Sequence, residues 1–243
     1  MYYDAGSTEK ICQEQSNAIS ILKGVRGNVA IIILGLIVII GFTSMNIYLL
    51  TRTHGTEKSA SSEIQILAHT EPEKTLRLVN RTEWIHKGIA NALPKLVQPI
   101  KTVVIAHTNT PPCNTEEECD RQVQFLQAFY TESKQKPDVP FNFLIGGDGR
   151  AYEATGWEYQ SDFIRGYDNH TIYLSFIGNF DKIIPSMRQL SVAKLLINEG
   201  LENNYIKDDY KLVGQCQLSG SVSSPGAVLY QVIQQWPNWT TDV

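Results

Sequence analysis

His107 and Cys216 are the soft donors placed where a metal site or a nucleophile would want them. His107 closes the apolar run 103–106, VVIA, and Cys216 follows the strand-like residues 211–213. A catalytic zinc takes three protein ligands and keeps a fourth position for water, so two donors fall one short. At a strand end beside polar turn residues, His107 reads as a hydrogen-bonded structural histidine. Cys216 reads as a buried side chain, with an intermolecular bridge as its alternative. Cys113 and Cys119 are closely spaced and suit a small disulfide loop in an oxidising compartment; 4 cysteines in 243 residues are too few for a disulfide scaffold. The glycines at 146, 147 and 149 make a weak phosphate cradle, because no Lys-Ser/Thr pair follows and the next residues read as a strand. Asn80, Asn169 and Asn238 each open an N-x-Thr sequon, the acceptor pattern for N-linked glycan.

The elements that must hold these residues follow from periodicity and punctuation. Residues 76–79 predict a short strand, and the β-branched run before His107, bounded by Pro99 and by HTNTPP, predicts a buried central one. Thr115 and Glu118 form a capping box that opens a helix with Cys119, Val123, Leu126 and Tyr130 on one face. The stretch DVPFNFLIGGDGRAYEATGW, 138–157, predicts a hairpin with strands at 143–145 and 151–154 and turn glycines at positive φ. TIYLSFI, 171–177, is a further buried strand. Pro185 opens a helix that buries Leu190, Ala193 and Ile197 and stops at Gly200. Ser224-Pro225 starts a last helix with Val228, Leu229, Val232 and Trp236 on its buried face. Strands alternating with helices imply an α/β sheet covered on both faces.

Ahead of this pattern, the run 29–42, VAIIILGLIVIIGF, continues without a charge to Leu50. The uncharged stretch between Arg26 and Arg52 exceeds the ~20 apolar residues that a bilayer core of ~30 Å requires. It is followed by Ser44, Met45, Asn46 and Ile47 and not by a small-residue cleavage site, which predicts a retained transmembrane helix at 28–50. Residues 1–27 are polar and predict a disordered cytoplasmic tail carrying Cys12. Residues 51–75, rich in Ser, Thr and Glu, predict an extracellular stalk, and 76–243 one domain. Flanking charge orients the span weakly; the sequons and the cysteine pair beyond it put the C-terminal domain outside the cell membrane. With 21 Lys and Arg against 25 Asp and Glu, the formal charge of −4 excludes nucleic acid as a partner class.

FNFLIGGDGRAYEATGW, TIYLSFIGNF, the Pro-started helix, DYKLVG and SPGAVLYQVIQQWPNW, in that order, resemble the peptidoglycan recognition proteins, which share the fold of the phage-type amidases. The similarity runs from about residue 76 to 239. It implies a mixed central sheet flanked by helices, a peptide-binding cleft, and a disulfide where Cys113 and Cys119 stand. With its tail and single span the chain is similar to the long, membrane-anchored insect members. Active members hydrolyse the bond between muramic acid and L-alanine with a zinc held by two His and one Cys. At the matching positions this chain has Ala106 and Gln215 for the two His, Ser224 for the Cys, and Phe141 for the Tyr that assists the chemistry; His107 matches a second, non-ligand His. The resemblance therefore implies a non-catalytic member with no metal and no other cofactor.

The family's muropeptide contacts differ as well. Thr155 stands for an Arg that pairs with the diaminopimelate carboxylate, Gln135 and Lys136 stand for a Gly-Trp pair, and Phe163 stands for a His, which removes charge-assisted and aromatic contacts. His107, Thr155, Trp157 and Phe163 are the candidate cleft residues. The expected role is that of a receptor, or a modulator of related receptors, in innate immune signalling, with related peptidoglycan recognition receptors and a cytoplasmic immune adaptor as partners. A receptor that senses peptidoglycan fragments directly is the alternative reading, and a zinc amidase the remote one.

Overall fold

The apolar runs ahead of His107, at 143–145 and at 171–176 form strands, and the strands of the described residues share one sheet. The computed structural model describes residues 71–85, 93–164 and 166–243. Its strands are β1 (Leu78–Val79), β2 (Ile100–His107), β3 (Phe143–Ile145), β4 (Ala151–Glu153), β5 (Thr171–Phe176) and β6 (Ile206–Gly214), in the spatial order β1-β4-β3-β5-β2-β6. β3 and β4 form the antiparallel hairpin and the other neighbouring pairs are parallel, so the sheet is mixed. β2 is interior, with Ala106 opposite Ser175 on β5 and Ile105 opposite Gly214 on β6.

Helices α1 (Arg81–Trp84), α2 (Glu116–Ala128), α3 (Met187–Glu202), α4 (Gln215–Leu218) and α5 (Ala227–Ile233) complete the fold. Side chains alternate between the two faces of a strand. Val103, Ile105, Phe143, Leu174 and Phe176 join Val192 and Leu196 of α3 and Leu229 of α5 in one core cluster. Val104, Ala106, Leu144 and Tyr173 join Cys119, Val123 and Leu126 of α2 in the other. The capping box of α2 forms as its sequence predicts: Thr115 Oγ1 accepts from the Glu118 N–H at 3.3 Å, and the Glu118 carboxylate accepts from the Thr115 N–H at 3.3 Å.

Several boundaries differ from the sequence reading, each for a packing reason. α3 runs two residues past Gly200, which is needed for close approach: a Cβ there would lie 2.6 Å from Ile206 Cδ1 and 2.8 Å from Trp157 Cη2. α5 begins at Ala227, after Gly226 at φ 90°, and not at Ser224-Pro225; Trp236 is buried beyond its end. In the hairpin turn only Gly149 has a positive φ, 86°. Gly147 is required by proximity, since its Cβ would fall 2.1 Å from the Cys113 carbonyl oxygen. Cys113 and Cys119 are bonded to each other, so the hairpin turn packs directly on the disulfide loop. The predicted stalk also ends early. The Glu73 N–H donates to Ser191 Oγ at 2.7 Å, and its carboxylate pairs with Arg188 of α3 at 3.5 Å, so the domain already includes residue 73. Among the described residues no helix is long and apolar enough to cross a membrane. The predicted span at 28–50, the tail with Cys12, and the stalk up to residue 70 lie outside the described residues.

Candidate functional site

The finishing ends of β2 and β6 bring three of the singled-out positions together. Ala106 is the penultimate residue of β2 and fully buried in the α2-side cluster. Gln215 follows β6 directly, as the first residue of α4. Ser224 links the two strands: its Oγ accepts from the His107 N–H at 2.9 Å and its carbonyl accepts from the Cys216 N–H at 2.7 Å. Ala106, Gln215 and Ser224 are thus neighbours, as three ligands of one ion would have to be.

His107 belongs to the opposite side of the sheet. Its ring stands 6.4 Å from Phe180, and Nδ1 accepts from the Phe180 N–H at 3.3 Å, which requires the neutral imidazole with its proton on Nε2. Burial pushes its pKa below the ordinary value, against a weaker upward pull from Asp181. As pH falls, the unfolded chain therefore binds this proton before the folded one. The stability contributed is full above about pH 6.5 and is lost as pH drops through that value towards the folded pKa. His107→Gln is expected to flatten the acid limb of a urea-midpoint series taken between about pH 5 and 7. A series of unchanged slope would mean that the imidazole is solvated in the fold.

Phe141 anchors an aromatic cluster on the α2 side. Tyr130 meets it edge-on at 5.9 Å, Phe163 packs on it at 5.0 Å, and Phe163 in turn meets Tyr173 at 5.1 Å. Thr155 lies under this cluster at 1 % exposure, and its hydroxyl donates to the Phe141 carbonyl at 3.2 Å. At the rim, Lys136 Nζ donates to the Asp162 carbonyl at 2.9 Å and pairs with its carboxylate at 3.1 Å, tying the segment after α2 to the loop before Phe163. Gln135 holds φ 52°, a left-handed conformation natural to the glycine it replaces in the resemblance. Trp157 does not join this group. It packs on Phe143 at 4.7 Å and Tyr205 at 5.2 Å on the α3 side, so the sheet divides the predicted cleft residues into Thr155 and Phe163 on one face and His107 and Trp157 on the other.

A family model described as N-acetylmuramoyl-L-alanine amidase matches residues 96–227. Peptidoglycan-recognition protein 2 of Holotrichia diomphalia is 34% identical over 163 residues, covering 67% of this chain and 86% of that protein. The chain belongs to the peptidoglycan recognition protein family. One similar solved structure is the tracheal cytotoxin-bound ectodomain complex of peptidoglycan recognition proteins LCa and LCx. It is 36% identical with a TM-score of 0.67, covering 69% of this chain and 100% of the matched one. Another is the ectodomain of the Drosophila transmembrane receptor LCa, 33% identical with a TM-score of 0.64, covering 67% and 99%.

The zinc pattern that the resemblance implies takes two imidazoles and a thiolate, and the residues at those positions do not fit that ion. Ala106 has no donor atom, Gln215 offers an amide, and the Ser224 oxygen already accepts from a backbone N–H. Among the described residues no three His, Cys, Asp or Glu side chains gather as a metal site. Asn80, Asn169 and Asn238 are all exposed, as glycan acceptors must be. Sequence reasoning missed the buried ion pair Arg81–Asp138, 2.6 Å, because the partners are far apart in the chain and nothing in the sequon or the hairpin pattern links them. It also missed the hydrogen bond from the Tyr152 hydroxyl to Asp148 at 2.7 Å. Burial raises both of their pKa values, and the Gly-Asp-Gly turn offered no sign of it.

Proposed function

We propose that this peptidoglycan recognition protein is a non-catalytic, single-pass membrane member that acts by protein contact at the cell surface, as a receptor or as a modulator of related receptors in innate immune signalling. The observation that carries the reading is the aromatic packing at the substituted positions. Phe141, Phe163 and Tyr130 pack on one another where the family pattern has a Tyr and a His for chemistry and recognition, and Thr155 is spent beneath them on a backbone carbonyl. Ala106, Gln215 and Ser224 supply neither imidazole nor thiolate, which supports a domain without amidase activity. Two relatives lend support from what they are: one solved complex joins two family ectodomains around tracheal cytotoxin, and one matched ectodomain belongs to a transmembrane receptor. The proposed topology has residues 1–27 in the cytoplasm, where an immune adaptor would bind, a span at 28–50, and an exterior glycosylated at Asn80, Asn169 and Asn238.

Calorimetric titration of a diaminopimelate-type muropeptide is the direct test. Loss of one charge-assisted hydrogen bond costs ~1.5–3 kcal/mol, or roughly 10- to 150-fold in affinity, before the aromatic packing is counted. No binding at micromolar concentration, together with co-precipitation of a related family receptor, is the expected result. Micromolar or tighter binding would establish the direct-sensing receptor instead.

A further inference from the structure

The loop from β5 to α3 carries large apolar side chains into solvent. Ile183 and Ile184 are 65 % and 61 % exposed, and Met187, the first residue of α3, is 47 % exposed. Ile184 also borders a shallow groove of ≈ 390 Å³ with Lys194, Val228, Val232 and Trp236. Contiguous apolar surface of this kind marks a contact site on a soluble domain.

Its position names the occupant. The chain comes to the domain from residue 70 at this same place, because Glu73 is fixed to Arg188 and Ser191, within about one helical turn of Met187. Twenty residues, 51–70, separate the proposed span from this point, and a coil of 20 residues has an end-to-end distance of about 25 Å. A domain of this length has a radius of gyration of about 15 Å, so a coil of 20 residues spans less than the width of such a domain. On the anchored topology proposed above, the surface around Glu73 is then the one nearest the bilayer. Two sequons lie at the other end of the sheet. Asn169 lies two residues before the start of β5, and Asn238 donates to the Asp208 carbonyl near the start of β6, whereas Ile183 and Ile184 follow the finish of β5. Glycans at those two asparagines would leave the apolar patch clear. Lys182 and Lys194 are exposed beside it, long cationic side chains of the kind that reach lipid headgroups while their stems lie along apolar surface.

We propose that Ile183, Ile184 and Met187, with the rim of the Trp236 groove, dock the domain flat on the outer leaflet of the membrane that anchors the chain. The occupant is the lipid interface itself, entered by these apolar side chains to headgroup depth. This inference rests on the anchored topology proposed above, and its test separates the two. The full chain is reconstituted in phosphatidylcholine vesicles containing nitroxide-labelled lipid, as the variants Ile184→Trp and, at the far end of the sheet, Tyr167→Trp. Carbonate extraction reports the anchor. The expected result is a retained chain in which the emission added by Ile184→Trp is blue-shifted and quenched about twofold by the nitroxide, while that added by Tyr167→Trp is not. A retained chain with equal quenching of the two variants overturns the docking and leaves the anchor standing. A chain released by carbonate overturns the anchor, and the docking with it. Shielding of Ile184→Trp that appears only at high protein-to-lipid ratio, with cross-linked pairs, assigns the patch to a second copy and overturns the lipid occupant.

Discussion

Asp138→Ala is expected to destabilise the domain by about 3–5 kcal/mol, the cost of leaving one partner of a buried ion pair uncompensated. The Arg81 and Asp138 side chains are 7% and 3% exposed, and they meet at 2.6 Å. Arg81 Nη1 also donates to the Ala154 carbonyl at 2.9 Å, and the second Asp138 oxygen accepts from the Val139 N–H at 2.8 Å. The pair thereby joins α1 at the sheet edge to the segment leading into β3 and to the end of β4, next to Thr155. Alanine removes the carboxylate and leaves the guanidinium where little water reaches it. With total stabilities of about 5–15 kcal/mol, such a loss takes a large share of what holds the domain. Urea unfolding should show a lower midpoint at unchanged slope. Arg81→Met combined with Asp138→Leu should fall closer to the parent than either charge removal alone, because no charge is left to strand. A loss under about 1 kcal/mol for Asp138→Ala would mean that water reaches the pair in solution.

The buried pair shows what kind of feature the chain does not announce. The interior strand ending at His107, the capping box at Thr115 and the hairpin at 143–153 depend on local pattern, and the structure agrees with their reading to within a residue, apart from a strand that starts at Ile100, three residues before the run that predicts it. The grouping of Ala106, Gln215 and Ser224 was legible through family motifs, and the hydrogen bond from the His107 N–H to Ser224 Oγ accounts for it geometrically. What depended on side-chain direction was not legible. Trp157 sits two residues from Thr155 yet on the other face of the sheet, and Gly200 resembles a helix stop in sequence while serving a close contact with Ile206 and Trp157. The polar composition of residues 51–75 masked Glu73, whose pairing with Arg188 depends on a helix more than a hundred residues away. Phe163 was visible as a lost histidine. Its packing between Phe141 and Tyr173 came only with the fold, and it changes the meaning of the substitution from a missing contact to a side chain built into an aromatic cluster.

That difference sets the expectation for Thr155→Arg, the change that restores the family's charged residue. If the groove lacked only one contact, the variant would gain muropeptide affinity. The geometry predicts instead that it loses stability, on the order of 3 kcal/mol, and gains no binding. Thr155 is 1 % exposed, and the backbone around it is held on both sides: the Ala154 and Gly156 N–H groups donate to the Asn142 carbonyl at 2.9 and 3.1 Å, and Asn142 Nδ2 donates back to the Gly156 carbonyl at 2.8 Å. An arginine on this fixed stretch must place its guanidinium under Phe141 and Phe163, with the Lys136–Asp162 tie closing the rim. Phe163→Ala in the same chain opens a route to solvent and should recover part of the loss. The double variant should then be more stable than the sum of the single effects, a coupling expected for side chains in contact. Urea midpoints of the four chains, read beside muropeptide calorimetry on each, decide the matter. Parent-like stability with micromolar binding in Thr155→Arg alone would mean that the groove is open and lacks nothing but the charge.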